Sequence, residues 1–338
     1  MSVNYALATV VILGATAAIW KGSDWLETTS AQLSAYYGLP MVVQGAIVTA
    51  VGSSFPELAS VVFAGLAGSL ELGVGAIVGS AIFNILVIPG VAGVAAETPV
   101  EASRTLVYKE AQFYMLAVSV LLITFALGVI YYPVAGERLH GEVTRPLALI
   151  PLALYGLYIF IQYQDTSDHD TELDRDGIDI RRQWAYLLAS LAVILVAVEQ
   201  LVGQVEAIGV ELGVSQFLLG VTIIAAATSL PDTLVSVRAA RAGRGVVSMA
   251  NVLGSNTFDL LVAIPVGIML VGATAIDFAM AVPMFGALTG ATILLFALLR
   301  TDMVLTETES YVLVGAYFLF VAWVLVEVTR IVPGVLPA

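Results

Sequence analysis

Long apolar segments dominate this chain and restrict it to one class of fold. Ten of them reach roughly twenty residues, the length at which a helix crosses the hydrocarbon core of a bilayer. They lie near residues 3–20, 40–66, 71–95, 110–132, 146–163, 184–206, 215–240, 246–272, 277–299 and 309–331. With 59% hydrophobic and only 12% charged residues, the chain is too apolar for an ordinary soluble domain. We therefore predict an all-α polytopic membrane protein with ten transmembrane helices.

The distribution of basic residues predicts the orientation, because short loops rich in Lys and Arg stay on the cytoplasmic side. If both termini face outward, ten of the 13 basic residues lie inside, and only Arg138, Arg145 and Arg330 lie outside. We therefore expect a multi-pass protein of the cell membrane with both termini extracellular. The first segment has no basic residues before it, so it is expected to be a retained helix and not a cleaved signal.

Residues for enzyme chemistry are scarce. The chain has no cysteine, which excludes disulfides and thiolate metal sites, and its two histidines, His140 and His169, fall in predicted loops. We expect a protein that is not an enzyme and needs no cofactor. Its expected partners are the lipid bilayer and inorganic cations, with no nucleic acid and no protein partner implied.

An acidic stretch, "DTSDHDTELDRDGID" at residues 165–179, separates the fifth and sixth segments. It predicts a division into a first five-helix unit at 1–164, an acidic cytoplasmic linker at 165–183 and a second five-helix unit at 184–338. Glu172, Asp174, Asp176 and Gly177 imitate part of an EF-hand loop, but its twelfth position would be Gln183. A regulatory calcium loop and a solvated linker both remain open.

The two halves share a pair of motifs at one constant offset. "AIVTAVGSSFPELASV" at 46–61 matches "VTIIAAATSLPDTLVS" at 221–236, and "GVGAIVGSAIFNILVIPG" at 73–90 matches "VSMANVLGSNTFDLLVAIPVG" at 247–267. A shift of 175 residues aligns Glu57 with Asp232 and Asn84 with Asp259. Five segments in each half would make the second copy start on the opposite side of the membrane. Inverted repeats of this kind are typical of secondary transporters.

Three acidic residues, Glu57, Asp232 and Asp259, lie deep within the predicted spans, and Asn84 occupies the fourth related position. A charge at that depth is tolerated only if it faces a cavity, a partner or a bound ion. Pro56 and Pro231 remove backbone hydrogen bonds and are expected to open their helices just before the acids. Further oxygen ligands lie within one turn of an acid or amide; these are Ser53, Ser54, Thr228, Ser229, Ser80 and Ser255.

All of these candidate ligands are oxygens, which suit hard cations such as calcium, sodium or potassium. Glu57 and Asp232 together would neutralise one calcium ion, and the same oxygens with Asp259 could hold several monovalent ions. If the two kinds of ion compete for shared oxygens, opening to one face at a time would produce antiport.

The motifs "GSSFPEL" with "VGSAIFN" and "ATSLPD" with "LGSNTFD" resemble the alpha repeats of sodium/calcium exchangers in the cation/calcium antiporter superfamily. The resemblance implies two inverted five-helix repeats, in which the first and sixth helices, here 3–20 with an extension to about 30 and 184–206, slide across a four-helix core. It implies Glu57 and Asp232 as central calcium ligands, helped by Ala50, Ser53, Ser54, Ala225, Thr228 and Ser229. It also implies sodium positions at Ser80, Asn84, Ser255 and Asp259.

Alternatives to sodium/calcium exchange remain open at this point. Asp232 and "SNTFD" resemble the potassium-dependent branch of the exchangers, which makes potassium a further candidate ion. A calcium/proton antiporter of the same fold would cycle protons on the buried acids. A cation channel could use the same ligands as a filter, and an intramembrane aspartyl protease also needs two embedded acids.

Overall fold

The computed structural model describes residues 4–37, 50–104, 109–136, 138–164 and 178–329, and this part of the chain is mostly helical. Its helices are α1 (Tyr5–Tyr37), α2 (Ala50–Ser53), α3 (Phe55–Leu66), α4 (Leu70–Ala95), α5 (Ala111–Tyr131), α6 (Arg145–Gln164), α7 (Ile180–Leu212), α8 (Gln216–Leu219), α9 (Ala225–Thr228), α10 (Leu230–Arg241), α11 (Gly245–Phe258), α12 (Ile264–Val271), α13 (Phe278–Asp302) and α14 (Glu307–Thr329). A first π-helical turn, Gly220–Ile224, joins α8 to α9, and a second, Asp259–Ala263, joins α11 to α12.

Within the described residues, eight stretches of helix are long and apolar enough to cross a membrane, and a bent stretch from Gln216 to Arg241 is a ninth. The chain is therefore an integral, multi-pass membrane protein, as predicted. The remaining predicted segment, 40–66, is represented by α2 and α3, and its residues 40–49 lie outside the described residues.

Two helices extend beyond the predicted spans. α1 continues to Tyr37, beyond the apolar segment 3–20 and beyond its expected extension to about residue 30, because buried side chains such as Leu26 and Leu33 continue its packed face past the ion pair of Lys21 and Asp24 (2.8 Å). α7 runs from Ile180 to Leu212, whereas the predicted span was 184–206, so the helix includes the last residues of the predicted linker. Asp179 caps α7 by accepting hydrogen bonds from the first backbone N–H groups. The four loop residues of the calcium-loop alternative, Glu172, Asp174, Asp176 and Gly177, lie outside the described residues, whereas its twelfth position, Gln183, lies in α7.

α4 occupies the centre of the molecule. It is apolar on all sides, as expected for a helix that is buried all round, and it packs against α3, α10, α14 and the first π-helical turn. Its backbone comes very close to the second half of the chain, since a methyl group on Gly79 would collide with the carbonyl of Val221. This close approach brings the motifs of the two halves together.

Two short antiparallel sheets connect the outer loops. β1 (Val100–Glu101) pairs with β4 (Val304–Leu305), and β2 (His140–Val143) pairs with β3 (Thr274–Asp277). These pairings link the loops around α5 to those around α13. α1 and α7, by contrast, pack mainly along each other through a separate apolar cluster. No described strand ties either of these two long helices to the rest.

Candidate functional site

Both proline motifs break their helices, as the sequence predicts. α2 and α3 meet at Ser54, and α9 and α10 meet at Ser229, where the ninth candidate span bends by 46°. Glu57 and Asp232 then lie in the first turns of α3 and α10. A helix N-terminus stabilises negative charge, so each break both frees backbone groups and favours the carboxylate that follows it.

Glu57 is joined to the central helix by a serine. It is 1% exposed, and its Oε1 accepts a hydrogen bond from Ser80 Oγ on α4 at 3.5 Å. The Ser80 and Ser229 hydroxyls are 2.7 Å apart, and either can be the donor. Glu57 of the first half and the helix break of the second half therefore meet at one α4 residue.

Asp232 also accepts hydrogen bonds from buried side chains, from two donors where Glu57 accepts from Ser80. It is fully buried, and its Oδ1 accepts from Ser255 Oγ at 3.1 Å, while its Oδ2 accepts from Asn84 Nδ2 at 3.2 Å. The Ser255 hydroxyl also lies 3.3 Å from that of Ser53. Asp232 is therefore bound by side chains from both halves.

Glu57 and Asp232 belong to one cluster of buried polar side chains, named the chamber here, which comprises Glu57, Ser80, Asn84, Asp232, Ser255 and Asp259. Their partners Ser80 and Asn84 are four residues apart on α4, which is about 6 Å along a helix axis. Glu57 also interacts electrostatically with Asp232 and with Asp259. The two acids that the motif pattern aligns are thus close in space.

Asp259 begins the second π-helical turn and is fully buried. Neither of its carboxylate oxygens has a hydrogen-bond partner among the described residues, and the same holds for Glu57 Oε2, Asn84 Oδ1 and Ser54 Oγ. α3, which carries Glu57, packs against this π-helical turn. Because buried polar oxygens without partners are costly, this set of oxygens needs a cation or a proton.

The acids do not form a compact three-carboxylate cluster. Across the described ranges, no group of three or more His, Cys, Asp or Glu side chains lies close enough to hold one metal ion. A single cation in the chamber would therefore contact at most two carboxylates. Hydroxyl, amide and backbone oxygens would have to complete its coordination.

The other predicted ligands, Thr228, Ala225 and Ala50, belong to the short helices that precede the two acids. The Thr228 hydroxyl donates to the carbonyl of Ile224 at 3.1 Å, so its lone pairs remain available as acceptors. The carbonyl of Ala225 already accepts from the backbone N–H of Ser229 at 3.1 Å. Ala50 is the first residue of α2.

Asn256 is a buried polar residue that the sequence analysis did not select. Its Oδ1 accepts from Asn84 Nδ2 at 3.0 Å, and its Nδ2 donates to the carbonyl of Ala81 at 3.1 Å and to the Tyr114 hydroxyl at 3.3 Å. With its own amide group so engaged, Asn256 orients the amide of Asn84. The signal was the polar side chain in "LGSNTFD" at the position that the repeat alignment gives to Ala81.

Comparisons with known proteins agree with this architecture. Residues 7–164 and 182–326 match the family described as sodium/calcium exchanger protein. The chain is 24% identical over 272 residues to the sodium/calcium exchanger MaX1 of Methanosarcina acetivorans, covering 72% of this chain and 77% of the relative. A shorter match, 46% identical over 61 residues, covers 18% of this chain and 12% of the human sodium/potassium/calcium exchanger 5.

The solved structure of the sodium-calcium exchanger NCX_Mj superimposes with a TM-score of 0.64 at 22% identity, covering 94% of this chain and 98% of that one. At that identity the likeness establishes the fold. The two family matches cover both halves and the motifs of the chamber. Together these findings support a membrane transporter that carries out cation/calcium antiport and is not an enzyme. The chain belongs to the sodium/calcium exchanger family.

Proposed function

We propose that this chain is a secondary active antiporter that exchanges calcium for sodium by alternating access. One observation carries the proposal: Glu57 and Asp232, from opposite halves, accept hydrogen bonds from residues one turn apart on the buried helix α4. Two carboxylates held this way supply the two negative charges that one calcium ion needs. Without a cation, their burial would be expensive.

Calcium would bind between Glu57 and Asp232. The hydroxyl and carbonyl oxygens beside them would raise the ligand number toward the six to eight that calcium takes; these are Ser53, Ser54, Thr228, Ser229, Ala50 and Ala225. Burial of the described members of this set supports the assignment, since bulk water reaches few of these atoms.

Sodium would occupy neighbouring positions formed by Ser80, Asn84, Ser255 and Asp259. Ser80 and Ser255 already donate to the two proposed calcium carboxylates, so a sodium ion bound to either serine oxygen would compete with calcium for the same acid. Asp259 adds a carboxylate whose two oxygens lack a described partner. Shared ligands of this kind make simultaneous occupancy unfavourable, which is the requirement for exchange.

An inverted-repeat architecture would complete the transporter. We propose ten helices arranged as a first repeat at 1–164, an acidic linker within 165–183 and a second repeat at 184–338, with both termini extracellular. Equivalent hydrogen bonds support the repeat: the 23-residue interval from Glu57 to Ser80 recurs from Asp232 to Ser255. Asn256 also contacts Ala81, its counterpart at the 175-residue offset.

Alternating access would come from α1 and α7 moving together. They pack chiefly on each other, whereas the β1–β4 and β2–β3 pairings link the loops of the remaining outer helices. Two helices that pack mostly on each other can shift as a unit against the core.

Potassium is a second candidate ion. Asp232 favours it, because the aspartate side chain is shorter than that of glutamate and leaves more room in the chamber.

Calcium flux in reconstituted vesicles tests the proposal. Calcium uptake should follow an outward sodium gradient under voltage clamp, with and without potassium. Uptake that ignored sodium but followed an imposed pH gradient would replace sodium with protons. Uptake that needed potassium would assign the chain to potassium-dependent exchange, and ion flux at conductive rates without a countergradient would indicate a channel.

A further inference from the structure

A narrow crevice lies between α1 and α10, beside the central chamber. Two helical stripes at matching spacing face each other across it: Trp20, Ser23, Asp24 and Glu27 on α1, and Pro231, Leu234, Val235 and Arg238 on α10. Ser53 of α2 also lines it. The crevice has a cavity volume of about 10 Å³, which is space for about one water molecule or one dehydrated ion.

Of the two acidic residues that line the crevice, only Asp24 has direct ion-pair partners among the described residues. The Asp24 carboxylate accepts from Lys21 Nζ at 2.8 Å and from Arg238 Nη1 at 3.2 Å. Glu27, about one turn further along α1, is half-buried, and none of the described residues forms an ion pair or a hydrogen bond with its carboxylate. Glu27 interacts with the Arg238 guanidinium only through space, without an ion-pair contact, so the crevice offers one carboxylate whose oxygens have no direct partner among the described residues.

Ser23 supplies an independent observation. It is 2% exposed, and its Oγ is buried without a hydrogen-bond partner. Helical hydroxyls usually donate to the carbonyl one turn earlier, as Thr16 does to Ile12 and Thr28 does to Asp24 in this same helix. Ser23 makes no such bond, although it lies one turn from Glu27 on the same face. Its oxygen is left to a ligand in the crevice.

Ser53 connects the crevice to the chamber. Its hydroxyl is 3.3 Å from that of Ser255, which donates to Asp232 at 3.1 Å. Ser53 also forms a side-chain hydrogen bond with Asp232, so an ion bound to Ser53 in the crevice would be separated from that carboxylate by one serine side chain. Glu27 and Asp232 also interact electrostatically, which places the crevice within the field of the chamber.

We infer that this crevice is an additional cation-binding site for one monovalent hard cation of the sodium class, with Glu27 and Ser23 as its own ligands and with Ser53 as a ligand that it shares with the proposed calcium position. The donors are all oxygens, which suits such an ion. The one carboxylate without a direct partner can balance at most one added positive charge, whereas a divalent ion would be repelled more strongly by the nearby Arg238 guanidinium. The inference rests on the proposed function only in placing this site next to the transport chamber.

Trp20 provides a built-in reporter of occupancy, because it lines the crevice. We would replace Trp25, Trp184 and Trp323 by phenylalanine and reconstitute the full chain in nanodiscs. Sodium chloride would then be titrated against N-methyl-D-glucamine chloride at constant ionic strength while Trp20 fluorescence is recorded. The expected result is a saturable change whose half-saturating sodium concentration rises at least fivefold in Glu27→Gln and in Ser23→Ala.

Matched variants separate this site from general effects. Glu199→Gln removes the same charge from an exposed position on α7 and should leave the titration unchanged. Arg238→Gln should lower the half-saturating sodium concentration, because it removes a positive charge from the crevice. If the crevice had only a structural role, this variant would not bind sodium more tightly. Asp232→Asn should retain the Trp20 response even while abolishing calcium flux.

The inference would be overturned by a parent-like titration in both Glu27→Gln and Ser23→Ala, or by a response to calcium without one to sodium. A sodium response lost in Asp232→Asn but not in Glu27→Gln would also overturn it, since the ion would then bind in the chamber. The proposed antiport is judged separately, by sodium-driven calcium flux in the same preparations.

Discussion

Asn84 and Asp232 come from different halves of the chain and share a hydrogen bond of 3.2 Å in the centre of the protein. At the 175-residue offset, the counterparts of this pair are Asp259 and Glu57. An amide can donate to a carboxylate, but a second ionised carboxylate cannot. One acid of the chamber is therefore satisfied by protein donors, while Glu57 and Asp259 retain oxygens without described partners. This asymmetry guides the first predictions.

Removing either central charge should abolish sodium-driven calcium uptake. Glu57→Gln and Asp232→Asn keep the size of the side chain but leave calcium under-neutralised in a buried site. We expect calcium affinity, measured by calorimetry, to fall more than tenfold in each. Glu199→Gln, which removes an exposed carboxylate, is the control and should transport normally. Unchanged calcium affinity in Glu57→Gln would contradict the assignment.

Exchanging the asymmetric pair should change sodium dependence more than calcium affinity. Asp259→Asn gives the second half the residue of the first and removes a carboxylate from the proposed sodium positions. We expect a higher half-saturating sodium concentration for calcium flux and a calcium affinity within about threefold of the parent, a difference of less than 1 kcal/mol.

The reverse change, Asn84→Asp, should weaken calcium binding by placing a like charge beside Asp232. A tenfold loss of calcium affinity in Asp259→Asn would show that Asp259 is a calcium ligand.

Asn256→Ala should weaken calcium binding without removing a proposed ligand. The Asn84 amide would lose the acceptor that orients it, and the carbonyl of Ala81 would lose a donor. Leaving buried polar groups unpaired costs about 1–3 kcal/mol, and the part of this cost that falls on the bound state alone would weaken binding by at most about 150-fold. Calcium titration of purified protein measures this change.

Thr257→Val is the matched control for that experiment. Thr257 is buried next to Asn256, but its hydroxyl donates only to the carbonyl of Leu253 in its own helix. We expect calcium binding to remain close to that of the parent. If both variants weakened binding equally, the effect of Asn256→Ala would reflect general disturbance of α11 and not the orientation of Asn84.

Gly79→Ala should destabilise the protein, since the added methyl group would collide with the carbonyl of Val221 at the contact between the halves. Overpacking in a tight core costs about 1–3 kcal/mol. The Tm of the detergent-solubilised protein should therefore decrease. Gly156→Ala is the control, because Gly156 is exposed on α6 with no atom near the added methyl, and its Tm should be unchanged or higher. Equal Tm values for the two variants would refute the close contact.

Much of the fold could be predicted from local sequence. Segment length and apolarity identified the membrane class, and the prolines identified the helix breaks at Ser54 and Ser229. Helix ends were predicted poorly, because α1 and α7 extend beyond their apolar parts on polar residues such as Asp24 and on the cap at Asp179. The apolar residues of a segment predict which part of a helix contacts lipid, but they do not predict the residue at which the helix ends.

The candidate ligands could also be proposed from sequence, because an acid in an apolar segment needs a partner. Asn256 was missed, since its role depends on Asn84, 172 residues away in the chain, and on Tyr114 in a third helix. Its importance is visible only when those side chains are seen together. The sequence also did not identify the stripe of Trp20, Ser23 and Glu27, because these residues line a crevice only when α10 packs opposite them.

The amino-acid sequence by itself determined the membrane class, the related motifs of the two halves and the oxygen-rich residues within them, because these depend on composition and short-range spacing. Only the tertiary structure decided which oxygens are satisfied and which are not. The segment that begins at Asn84 stays α-helical, whereas the related segment that begins at Asp259 forms a π-helical turn. Similar sequences adopt different backbones here because each packs against different neighbours, and those contacts join residues far apart in the chain.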